Sequence, residues 1–162
     1  MIRKEPIKRS SDGRNSLTEV IRLAVTDNAL RIPFTDEGGF ICTEIGEKHD
    51  DEFIRVLVSG VMSDSGMMCQ TIEIICLETE KKARAFICSP EGAGFSHWGS
   101  DPIGGYELTT YAGDPKLPFL ISTILKNHFG FKENSHLVAH TYCEVDYFRK
   151  DLSKKASHQV KS

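Results

Sequence analysis

His97 and Trp98 stand side by side in the stretch GAGFSHWGSDPIGGYELTTY, residues 92–111. Glycines let a backbone approach a ligand closely, and exposed amides in such a loop can hold an anion. Ser96, His97 and Asp101 bring a nucleophile, a base and an orienting acid into one segment. Immediate neighbours in a chain rarely reach triad geometry, however, and no GxSxG elbow is present. The glycines also lack the dinucleotide spacing and the Gly-Lys-Ser/Thr end of a P-loop. If 95–98 is a strand, His97 and Trp98 point to opposite faces. The larger apolar Trp98 is then expected in the core, as an anchor for loosely connected strands, with His97 at the surface or in a cleft. The competing reading is a ligand-lined loop that uses His97, Trp98, Asp101 and Asp114.

His136 and His140 are four residues apart. On a helix they would share a face, as zinc ligands do, but no glutamate lies between them for HExxH chemistry. On a strand they would sit about 13 Å apart, too far for one metal. No metal or cofactor is expected. The five cysteines, Cys42, Cys69, Cys76, Cys88 and Cys143, form no CxxC pair. None precedes a helix signal that would lower its pKa, so they are expected to be reduced core residues. Glu44, Glu47, Asp50, Asp51 and Glu52 form an acidic stretch without the alternation or central glycine of a calcium loop. It reads as a solvated loop, with Asp50, Asp51 and Glu52 as candidates for docking a basic partner.

Helices and strands must position these groups. Ser16-Leu17-Thr18-Glu19 matches a capping box, and Leu17, Val20, Ile21 and Ala24 follow at helical spacing. This helix should fade near Asp27-Asn28 and be over by Pro33. Strands are expected at 39–46, 53–63 and 67–80, with a turn at Lys81-Lys82 and a return strand over 83–89. Residues 95–98 and 106–111 are two further strand candidates. A second helix should start near Leu117, with Pro118 in its first turn and Gly130 at its C-terminal end. The segment 136–148 has both strand and helix character, and its β-branched and aromatic residues favour a strand. The pattern predicts an α+β domain: one mainly antiparallel sheet of five or six strands, with two or three helices packed on one face.

The chain has 162 residues and a formal net charge of −3. The expected organisation is a flexible basic arm at 1–14, one domain at 15–150 and a flexible basic tail at 151–162. Residues 15–148 carry ten Lys/Arg against twenty Asp/Glu. Such a body repels phosphate, so nucleic acid is an unfavoured partner for it. No secretory or membrane-spanning signal is visible, and the default location is cytoplasmic.

No strongly placed catalytic set emerges. The expectation is a non-catalytic, acidic binding protein, a regulator or inhibitor of the immunity type, that docks on a protein with a basic surface. The alternative is a small-molecule-binding protein or enzyme using the glycine-rich region 92–114. Oligomeric state is not encoded visibly, and a homodimer is compatible with the pattern.

Overall fold

Apolar alternation builds the sheet of this chain. In the Ile54–Met62 strand, Ile54, Val56 and Val58 are buried while Arg55, Leu57 and Ser59 are only partly covered. Cβ atoms alternate between faces along a strand, so one face carries the core. The computed structural model describes residues 7–10, 15–35, 39–47, 53–75, 77, 79–97 and 105–145. In chain order they form β1 (Ile7–Ser10), α1 (Leu17–Arg31), a 3₁₀ turn (Ile32–Phe34), β2 (Gly39–Gly46), β3 (Ile54–Met62), β4 (Met68–Ile74), α2 (Glu80–Ile87), β5 (Ser96–His97), β6 (Tyr106–Tyr111), α3 (Lys116–Phe129) and β7 (Val138–Val145). The sheet runs β1-β7-β2-β3-β4-β6-β5, and every ladder is antiparallel.

This is the expected α+β arrangement. Five strands run six residues or more, and the short β1 and β5 flank them. The three helices share one core with the sheet. It joins Leu17, Val20, Ile21 and Ala24 of α1, Phe86 of α2 and Ile121, Ile124 and Leu125 of α3 to Ile45, Val56, Val58, Ile72 and Ile74. No helix among the described residues is long and apolar enough to cross a membrane.

Local signals set the helix ends. Ser16 Oγ accepts from the Glu19 amide at 3.2 Å, which satisfies one orphan donor of α1. The Glu19 carboxylate is taken by Arg22 Nη2 at 2.6 Å. Gly130 ends α3 at φ 73°, and the Phe131 amide folds back to the Leu125 carbonyl at 3.1 Å.

Two expectations need correction. Residues 7–10 of the expected flexible arm form β1, which pairs with β7 in the register Lys8↔His140. Arg9 Nη2 also meets Asp27 Oδ2 of α1 at 2.6 Å. The pairing covers a strand of the sheet that would otherwise expose a row of backbone donors and acceptors. Residues 1–6, 11–14 and 146–162 lie outside the described residues. The second correction is α2, which replaces the expected turn at 81–82 and strand over 83–89. Thr79 Oγ1 accepts from the Lys82 amide at 3.1 Å, Glu80 occupies the favourable first turn, and Ala83 and Phe86 bury one face at helical spacing.

Candidate functional site

A buried polar network joins α1 to the sheet and to the turn before α3. Asn28 lies on the apolar face of α1, fully buried. Its Nδ2 donates to Thr43 Oγ1 and to the Val58 carbonyl, each at 3.0 Å. Gln70 of β4, also fully buried, donates from Nε2 to Asn28 Oδ1 at 2.9 Å and to the Val25 carbonyl at 3.1 Å. Its Oε1 accepts from the Gly113 amide at 3.1 Å. Thr43 continues the network to Thr141 of β7 at 2.9 Å. Buried polar groups are costly unless satisfied, so this network holds α1 and the 112–115 turn at one separation.

Between those two elements lies a groove of about 500 Å³. One wall is a stripe of α1: Thr18, Arg22, Val25, Thr26, Ala29 and Leu30. The other is the start of α3, from Gly113 and Asp114 to Pro118 and Phe119. Phe119 is 75% exposed and Leu30 is 65% exposed, although both sit on helices. Further exposed apolar side chains lie outside the groove lining. Phe34 in the 3₁₀ turn is 79% exposed. The turn packs down on β3 at Gly60, where a Cβ would stand 2.8 Å from Ile32 Cγ1. Met62 of β3 and Met68 of β4 form a cross-strand pair, both exposed, and the Ala112 amide donates to the Met68 carbonyl at 2.9 Å.

The charged groups of the groove are already engaged. Arg22 pairs with Glu19, which lowers the Glu19 carboxyl below its ordinary value and raises the guanidinium. Asp114 accepts from the Lys116 amide at 3.0 Å and from Thr110 Oγ1 at 2.9 Å. The Lys116 amide is the main reason that its pKa is lowered, against a smaller opposing effect of burial. The groove therefore offers an apolar surface with a structural acid at one end, and among the described residues no nucleophile and base converge in it.

Of the candidate site residues singled out from the sequence that are described, Asp114 lines this groove. His97 is exposed on β5, its ring 4.7 Å from that of Tyr106. Asp50, Asp51, Glu52, Trp98 and Asp101 lie outside the described residues. Glu44 and Glu47, the described members of the acidic stretch, are less solvated than expected. Glu44 is buried and accepts from the Tyr142 hydroxyl, whose pKa burial and this bond push strongly upward. Glu47 pairs with Arg55 Nη2 at 3.0 Å. Among the cysteines, Cys42 is buried as expected, Cys69 is partly covered, and Cys88 is exposed because it caps the C-terminus of α2. His136 is exposed and His140 buried, and no metal-binding group of three or more ligands occurs among the described residues.

On the sheet face away from the helices, Glu73 and Glu107 stand directly opposite on β4 and β6. Burial raises the Glu73 pKa, and the Glu107 charge adds to it. Like charges directly across a ladder are destabilising.

Sequence reasoning missed Asn28 and Gln70, although both left a signal. Asn28 follows Ile21 and Ala24 at core spacing in α1, and Gln70 shares the period-two face of Ile72 and Ile74. Comparison with known proteins gives no match to any family model, curated protein or solved structure.

Proposed function

We propose that this chain is a non-catalytic binding protein, a regulator or inhibitor that docks on a protein partner through the groove between α1 and α3. The observation that carries this reading is the exposure of Leu30 and Phe119 at a preformed apolar groove, with Phe34 also exposed in the 3₁₀ turn after α1. Leaving three large apolar side chains in water loses about 1.5–3 kcal/mol of burial each, which a partner would recover. The acidic balance of residues 15–148 favours encounter with a basic surface. Asp50, Asp51 and Glu52 contribute to that balance.

Capture from the native host tests the reading. Wild type should retain a protein partner, and the Leu30→Ser/Phe119→Ser variant should lose it while keeping its thermal midpoint. Equal retention by both proteins would remove the groove from the interface. A second reading, a small-molecule site, draws support from the groove volume, which lies within the range of ligand pockets. Gly113 and Asp114 tie it to the 92–114 region. A copurifying small molecule in native mass spectrometry, with no protein partner, would favour that reading.

A further inference from the structure

We infer that the occupant of this groove is an amphipathic α-helix of about three to four turns, apolar inward and basic outward; the inference rests on the docking reading above. The length comes from the α1 wall. Thr18 to Leu30 spans twelve residue steps, about 18 Å at helical rise. A helix laid along that wall presents apolar residues at i, i+3 or i+4, and i+7.

The backbone chemistry of the walls favours a helix over an extended segment. An added strand needs a row of main-chain donors and acceptors to pair with. The described walls offer no such row. Donors and acceptors of α1 are engaged within the helix, and the Val25 and Arg22 carbonyls also accept from Gln70 Nε2 and Thr26 Oγ1. On the other wall, the Gly113 amide goes to Gln70, the Lys116 amide to the Asp114 side chain and the Leu117 amide to the Asp114 carbonyl at 3.0 Å. Two wall positions, Pro115 and Pro118, have no amide hydrogen at all. A ligand that enters here must satisfy its own backbone, and a helix does so internally.

Side chains set the rest of the recognition. Ala29, Thr26 and Gly113 are small and leave room for inserted side chains, while Phe119 and Leu30 rise at the rim. Met62, Met67 and Met68 are exposed apolar side chains outside the groove lining, and unbranched thioethers adapt to varied partners. The outward face of the bound helix meets the field of a body in which acids outnumber bases, so Lys and Arg are favoured there.

A displayed library of random 18-residue peptides, selected on the full chain, tests the inference. The selected peptides should show apolar residues at i, i+3 or i+4 and i+7 with Lys/Arg elsewhere. They should gain helical circular dichroism on binding, and they should lose at least tenfold in affinity for Ala29→Arg, which fills the groove. Phe119→Ser, a change at an exposed side chain, should give a smaller loss and guards against misfolding of the first variant. Selected peptides with period-two or proline-rich patterns that still depend on Ala29 would overturn the helix inference and leave groove docking intact. Peptides indifferent to both substitutions, or no selected peptides, would overturn both.

Discussion

The Gln70 side chain of β4 donates to Asn28 Oδ1 of α1 at 2.9 Å, and both residues are fully buried. The pair links the sheet to both walls of the groove, because Gln70 also receives the Gly113 amide. Removing one member strands the other's polar atoms away from water. Asn28→Ala and Gln70→Ala should each cost about 1–3 kcal/mol. The double variant should cost less than the sum, since the second change removes groups already left unpaired. Urea midpoints for the four proteins check this, and additive costs would mean that the two side chains do not interact in solution.

Gly60 is where the end of α1 meets β3. A Cβ there would fall 2.6 Å from Asn28 Oδ1 and 2.8 Å from Ile32 Cγ1. Gly60→Ala should therefore destabilise by about 1–3 kcal/mol through overpacking. Combining it with Ile32→Ala should cost less than the two single effects added together. Thermal midpoints of the three variants read this directly, and a neutral Gly60→Ala would show that α1 sits farther from the sheet.

Glu133 clips the start of α1 to the loop after α3. It accepts from Thr18 N at 2.7 Å and Thr18 Oγ1 at 2.9 Å, and it pairs with Lys126 Nζ at 2.6 Å. The Lys126 bond first, and then the two from Thr18, hold its pKa down to about 2 from an ordinary 4.5. A lowered carboxyl stabilises the fold above its unfolded value, and that contribution fades as pH falls from 4.5 toward 2. Its side chain is 46% exposed, so water screens the effect to below about 1 kcal/mol. Glu133→Gln should lower the denaturation midpoint at pH 7, and the gap from wild type should close between pH 4.5 and pH 2. A gap independent of pH would assign the loss to packing.

Cys88 should be the readily labelled thiol among Cys42, Cys69 and Cys88. It is exposed at the end of α2, whereas Cys42 is 6% exposed. Mass spectrometry after brief treatment of folded protein with a thiol reagent should find label on Cys88 and little on Cys42. Cys88→Ser should remove the label at that position and leave stability within about 0.5 kcal/mol of wild type. Rapid labelling of Cys42 would show that the β2–β7 region opens in the native state.

Much of the fold was written in local chemistry. Strands β2 and β6 follow from their own alternation and β-branched content, within the bounds 39–46 and 106–111. Ser16 and Gly130 mark helix ends because capping needs only neighbours in sequence. The eight residues of α2 were harder to see, since so short a helix shows barely two turns of periodicity and runs into the apolar AFIC segment. The groove was beyond local reading. Leu30 and Phe119 are the same kinds of residue as the buried Leu17 and Phe86. Which of them is left in water depends on how α1 and α3 lie against the sheet. That placement rests on contacts distant in sequence: Gln70 with Asn28 and Gly113, and Glu133 with Thr18. Residue type determined that these side chains would seek burial, and only the tertiary packing decided which ones remained exposed.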